Sequence, residues 1–184
     1  MIKSILLSLL LLFTTSLFAQ DDNSNQDDPT PSNEVKLNAL YMVIGAFDVT
    51  YERLLNEESG VSLNVFIPFD KDIKDDINYY VSSYYRLYFG KKYAAGFFLE
   101  GFGMLSSVNR FETFSSGSGF DFIIGTQEET VTDFALGIGA GGKWMTKSGF
   151  IGELSFGIGR NLTNTDDNVD DFVGKIAISI GYRF

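Results

Sequence analysis

From Ile176 to Phe184 the chain alternates without interruption. Ile176, Ile178, Ile180, Tyr182 and Phe184 are apolar or aromatic, and Lys175, Ala177, Ser179, Gly181 and Arg183 carry the opposite parity. Period two is the repeat of a β-strand, so one face is greasy and the other small or polar. In water, such a strand at a terminus leaves an apolar face and an unpaired edge open to association. Lipid on one side and a polar lumen on the other satisfy both faces, which is the environment of a transmembrane β-barrel strand.

The same period recurs upstream. In 77–89, Ile77, Tyr79, Val81, Tyr85, Leu87 and Phe89 share one parity, and Asn78, Tyr80, Ser82, Tyr84, Arg86 and Tyr88 share the other. In 150–160, Phe150, Leu154, Phe156 and Ile158 oppose Glu153 and Ser155. In 61–69, Val61, Leu63, Val65 and Ile67 oppose Ser62 and Asn64. These runs lack the i, i+3, i+4 spacing of an amphipathic helix. The pattern predicts eight strands, near 35–44, 47–55, 61–69, 77–89, 93–107, 131–145, 150–160 and 172–184. Each is long enough to cross a bilayer at a tilt, which takes ~9–11 residues. The connectors 56–60, 90–92 and 146–149 are short, whereas 68–76, 107–130 and 161–171 are long. Short turns on the periplasmic rim and long loops outside are the outer-membrane arrangement. Gly45-Ala46 breaks the trend, as a very short connection on the long-loop rim. The expected fold is one all-β domain over 35–184, an eight-stranded antiparallel up-and-down transmembrane β-barrel.

The residues ahead of it read differently. Lys3, the apolar run from Ile5 to Leu12 and its continuation to Ala19 form a positive n-region, a short h-region and a small residue before a cut at Ala19-Gln20. Segment 1–19 is therefore expected to be a cleaved signal peptide, since the run is shorter than the ~20 residues of a membrane helix. Segment 20–34 holds Asp21, Asp22, Asp27, Asp28, Glu34, Pro29 and Pro31 and no basic residue. It is expected to be a disordered acidic linker.

Composition narrows the chemistry. The net charge is −10, which disfavours nucleic acid as a partner. There are no cysteines and no histidines. Lipoprotein anchors, disulfides and thiolate metal sites are thereby excluded, and the commonest general base is missing. No catalytic residue, cofactor site or resident metal site is expected.

The parity opposite the apolar one carries Lys36, Asp48, Glu52, Arg86, Glu100, Asp133, Lys143, Glu153, Lys175 and Arg183. Beyond Arg53, near a strand end where it can snorkel, the apolar parity carries almost no charge. Eight strands enclose a space that side chains fill. Balanced acids and bases there should pair, because an unpaired buried charge is costly. Arg86 is the first expected partner for Glu100, across a turn centred on 90–92 but not directly opposite it. Tyr80, Tyr84, Phe98 and Phe102 should narrow the lumen further. Glu52, Glu100 and Glu153 resemble a hydrolase carboxylate set only in composition, since a filled lumen offers substrate no cleft.

Gly137-Ile138-Gly139-Ala140-Gly141-Gly142 matches G-x-G-x-x-G, but it lies inside a strand and opens no helix, which a dinucleotide site requires. The inward glycines there, with Gly157 and Gly159, are expected to make room for Arg86, Tyr84 and Phe98. Asp70, Asp72, Asp75 and Asp76 in one long loop, and Asp166, Asp167, Asp170 and Asp171 in another, are candidate ligands for divalent cations. Neither set has EF-hand spacing. Phe111, Phe114, Phe120, Phe122, Ile123 and Ile124 make segment 111–130 apolar for a loop. Two readings stand: a β-ribbon whose edge pairs with another protein, or aromatics dipping into the lipid interface.

The signal-like leader, the eight alternating strands and the Tyr182-Arg183-Phe184 ending resemble the small OmpA/OmpX-type outer-membrane barrels of Gram-negative bacteria. Val35-Lys36-Leu37-Asn38 followed by Val49-Thr50-Tyr51-Glu52-Arg53 also resembles one barrel family classed as a domain of unknown function. The resemblance supplies no catalytic residues. It implies a monomer in the outer membrane, in contact with lipid and lipopolysaccharide. It also implies assembly by periplasmic chaperones and the barrel-insertion machinery, with Tyr182 and Phe184 as the signal that is read. The expected role is non-enzymatic, structural or surface-interacting. A narrow channel is the alternative and an enzyme the third.

Overall fold

A computed structural model of the protein describes residues 32–116, 123–163 and 172–184. Eight strands follow the sequence pattern: β1 (Asn33–Asn38), β2 (Ala46–Leu54), β3 (Ser59–Pro68), β4 (Ile77–Tyr88), β5 (Gly96–Ser116), β6 (Ile123–Met145), β7 (Phe150–Asn161) and β8 (Phe172–Arg183). Each pairs antiparallel with the next, and β1 closes on β8 with Val35 opposite Tyr182. The result is a closed eight-stranded barrel with no free edge along the closed wall. The predicted signal peptide and the linker up to residue 31 lie outside the described residues.

Alternation sets the two faces. Ile138, Phe156, Ile158, Ile180 and Leu63 are exposed on the outer wall, and Lys36, Arg86, Glu52, Lys143 and Phe98 are buried inside. A soluble ligand-binding barrel has the reverse arrangement, with an apolar interior and a charged exterior. In place of that, Arg86 and Glu100 are 1% and 4% exposed while Ile138 is 71% exposed.

The first connection differs from the sequence expectation. The apolar run after Asn38 is a short helix, α1 (Ala39–Ile44), not the end of a long strand. Caps decide this. The Asn38 side chain accepts from the Leu40 N–H, and Gly45, at φ 112°, closes the turn by donating to the Tyr41 carbonyl. The tight Gly45-Ala46 link is therefore a helix exit, not a hairpin. A second helix, α2 (Lys71–Asp76), is capped by Asp70. The Gly45 carbonyl accepts from both Phe69 and Asp70, tying the two helical loops together at one rim.

Two more boundaries move. β1 begins at Asn33, so Glu34 belongs to the barrel and not to the linker. β5 and β6 run well past 107 and 131 and stay paired to Ser116 opposite Ile123, so the backbone of the predicted long loop is largely a β-ribbon.

Candidate functional site

Five bases and four carboxylates meet in the lumen near the short-turn rim. Glu52 on β2 is the hub. Its Oε2 accepts from Lys36 Nζ at 2.5 Å, Arg86 Nη1 at 3.3 Å and Lys143 Nζ at 3.4 Å. Its Oε1 accepts from the Tyr88 hydroxyl, which in turn accepts from Lys143. Glu153 Oε2 accepts from Lys36 at 2.9 Å and Arg86 at 2.7 Å. Glu100 accepts from Arg86 Nε at 2.7 Å and Lys175 Nζ at 3.0 Å. Seven of the eight strands, all but β3, thus contribute to one connected network around Arg86. The guanidinium also lies between two rings, 4.0 Å from the Phe98 centroid and 4.3 Å from that of Tyr84.

Arg86 and Glu100 are direct cross-strand partners. The sequence expectation of an offset pair placed the turn too early. The connector spans 89–95, with Ala94 at φ 41°, and this moves the hairpin's centre toward β5 by more than a residue. The same connector closes the short-turn rim. Arg183 donates to the carbonyls of Tyr93 and Ala94 at 2.8 Å each, while its Nε donates to Glu34 at 2.8 Å. Ala94 packs with Leu54, Tyr88 and Phe98. Glu34, fully buried, joins Arg183 on β8 to Lys143 on β6, with Lys143 Nζ 2.7 Å away. Sequence reading assigned Glu34 to the linker, although it shares parity with Lys36 and extends the inward series by one residue.

The other half of the lumen is less charged. Asp48 accepts from Asn38 at 3.2 Å, from Tyr80 at 3.0 Å and from Asn64. Asp133 is buried on β6 in the same half, opposite Ser106 of β5. Above Asp48, Phe66 stacks on Tyr80 at 4.5 Å, and Tyr41 of α1 meets Phe66 edge-on at 5.3 Å. Ile73 of α2 packs on the same cluster, so aromatic and aliphatic groups close this rim. Burial, and next the Asp48 carboxylate, raise the Tyr41 hydroxyl's pKa and keep it protonated.

The inward glycines of β6, and Gly157 of β7 beyond it, accommodate side chains of β5, the strand next to β6, whereas Gly159 faces Val173 of β8. A Cβ on Gly137 would strike Phe102, one on Gly141 would strike Phe98, and one on Gly139 would lie 3.0 Å from Glu100 Cγ. The expected occupants were Arg86 and Tyr84 as well as Phe98. Neither of the first two is among the nearest neighbours, because β5 residues bend over the strand directly paired with them.

Of the loop acids, Asp70 is spent on capping α2. Among the described residues, no group of three or more acidic side chains is placed to hold a metal ion. Asp166, Asp167, Asp170 and Asp171 lie outside the described residues, as do the side chains of 111–124. Tyr182 and Phe184 face outward, and the Phe184 backbone exchanges hydrogen bonds with Asn33 of β1 at 2.9 and 3.1 Å.

These features define a class: a closed, all-antiparallel eight-stranded barrel, apolar outside and ion-paired within. Its fold is similar to that of the N-terminal β-barrel domain of Pseudomonas aeruginosa OprF, at a TM-score of 0.50 and 15% identity, over 84% of this chain and 98% of that one. No family model and no curated protein matches the sequence.

Proposed function

We propose that the protein is an integral outer-membrane barrel of a Gram-negative envelope, exported with a cleaved signal peptide and acting as a non-enzymatic structural or surface-interaction element. One observation carries this reading: the barrel is inside-out relative to a soluble one. Its outer wall is a continuous apolar surface, on which Phe172, Phe156 and Trp144 are 65%, 66% and 63% exposed. Water would not tolerate so large a patch, whereas a bilayer requires it. The similarity of fold to the OprF barrel domain supports the same reading.

The filled lumen supports the non-enzymatic part of the reading. Every carboxylate of the central network is engaged by a base, and aromatic groups or the 89–95 connector close each rim. An acid–base pair needs an opening that admits substrate and a group with a proton to move. A channel needs a water path, which the same groups obstruct. The surface role falls to the long-loop rim, where the β5–β6 ribbon stands clear of the barrel wall.

Cell fractionation with mass spectrometry of the mature protein tests this proposal. The expected result is recovery in the outer-membrane fraction with an N-terminus at Gln20. A chain that retains Met1 and partitions with the cytosol would sink the proposal.

A further inference from the structure

Among the described residues, the outer wall carries a hollow. It lies across β5, β6 and β7 next to the short-turn rim, with a volume of about 410 Å³. Phe97, Trp144, Leu154 and Phe156 wall it, and the backbone of 141–143 forms its floor. Gly142 creates it. Its outward position lacks a side chain, and a Cβ there would lie 3.2 Å from the Trp144 ring.

The rim beside the hollow is basic. The 89–95 connector carries exposed Lys91 and Lys92 just ahead of Gly96, and the 146–149 connector carries exposed Lys147 three residues after Trp144. None of the three lysines makes an ion pair among the described residues. No acid faces outward on these strands near that rim. Glu57 and Glu58 sit on the β2–β3 connector, where their backbone carbonyls accept from Ala94 and Tyr88. An apolar slot ending under uncommitted ammonium groups matches an acyl chain that ends in a phosphate.

We infer that this hollow seats an acyl chain of an anionic phospholipid from the leaflet on the short-turn side, with its phosphate held by Lys91, Lys92 and Lys147. The inference rests on the membrane reading above. It adds that one part of the wall selects its lipid, where the remainder only dissolves in lipid.

Trp144 reports on the site directly, because it is the protein's single tryptophan. Its fluorescence is measured with the barrel refolded in phosphatidylcholine vesicles, while either phosphatidylglycerol or phosphatidylcholine with brominated chains replaces part of the lipid. Brominated phosphatidylglycerol should quench more at equal low mole fraction, equivalent to at least about fivefold tighter local binding, which is the contribution of each single lysine contact at a membrane surface. The triple variant Lys91→Gln, Lys92→Gln, Lys147→Gln should quench equally with the two lipids. Gly142→Leu, which fills the slot, should also lose the preference while keeping the heat-modifiable gel mobility of a folded barrel. Strong but equal quenching of the wild type would overturn the lipid site and leave the membrane reading standing. A preference that survives the triple variant would overturn the assignment to these lysines. Absence of quenching by both lipids would overturn the membrane reading itself.

Discussion

Glu52→Gln should lower the stability of the folded barrel by about 3–5 kcal/mol, the range for removing one partner from a buried charge network. The variant keeps the volume and deletes the charge. Lys36, Arg86 and Lys143 would then share the remaining carboxylates, and an amide N–H would point at ammonium groups where a carboxylate oxygen now accepts. Tyr88 would lose a charged acceptor in the same step. Urea titration of the refolded protein measures the effect. Glu57→Gln, on an exposed turn, is the control and should shift stability by less than ~0.5 kcal/mol. Adding Lys36→Met to Glu52→Gln should recover part of the loss, because it removes one of the underpaired bases. Equal midpoints for Glu52→Gln and wild type would mean that the lumen is wet enough to solvate the charges.

The second large effect is steric. Gly137→Val should destabilise the barrel at or beyond the upper end of the ~1–3 kcal/mol usual for overpacking. The added Cβ would collide with Phe102 and lie 2.6 Å from the Ile158 carbonyl and 2.7 Å from Gly159 Cα. A ring can rotate away, but the backbone of β7 cannot move without breaking its pairing to β6. Gly101→Val is the matched control. Gly101 faces outward, a Cβ there meets nothing within 4 Å, and valine suits a strand. Folded yield, scored by heat-modifiable mobility, should fall for the first and hold for the second. The opposite ranking would mean that the glycines serve curvature and not the packing of β5 side chains.

Much of this architecture was legible because a barrel strand writes its two faces as two parities. Lys36, Glu52, Arg86, Glu100, Lys143, Glu153, Lys175 and Arg183 stand out as inward residues since their sequence neighbours are Val35, Tyr51, Tyr85, Leu99, Trp144, Leu154, Ile176 and Tyr182. What parity does not encode is turn length. Arg86 and Glu100 face each other only because the connector runs from 89 to 95, and the composition of Gly90-Lys91-Lys92 suggests an earlier turn. The run 40–44 was opaque for another reason. Five consecutive apolar residues carry no period, and the choice between strand and helix fell to Asn38 and Gly45 at its ends. Glu34 was hidden by its neighbours: the acidic, proline-containing stretch before it reads as linker, and only its register opposite Arg183 reveals it as part of the lumen. The hollow on the outer wall could not be read at all, since it depends on which outward positions of three strands lie side by side.

The central claim is a membrane barrel whose lumen is closed by its own ion pairs and rings. Planar-bilayer recording of the refolded protein, with insertion verified independently, tests it most directly. Eight strands leave little free width once Tyr80, Tyr84, Phe98 and Phe102 are placed. The network and the 89–95 connector fill the remainder. The account predicts a bilayer that stays electrically quiet, with no stable unitary currents. Stable unitary currents comparable in size with those of a large porin would contradict it.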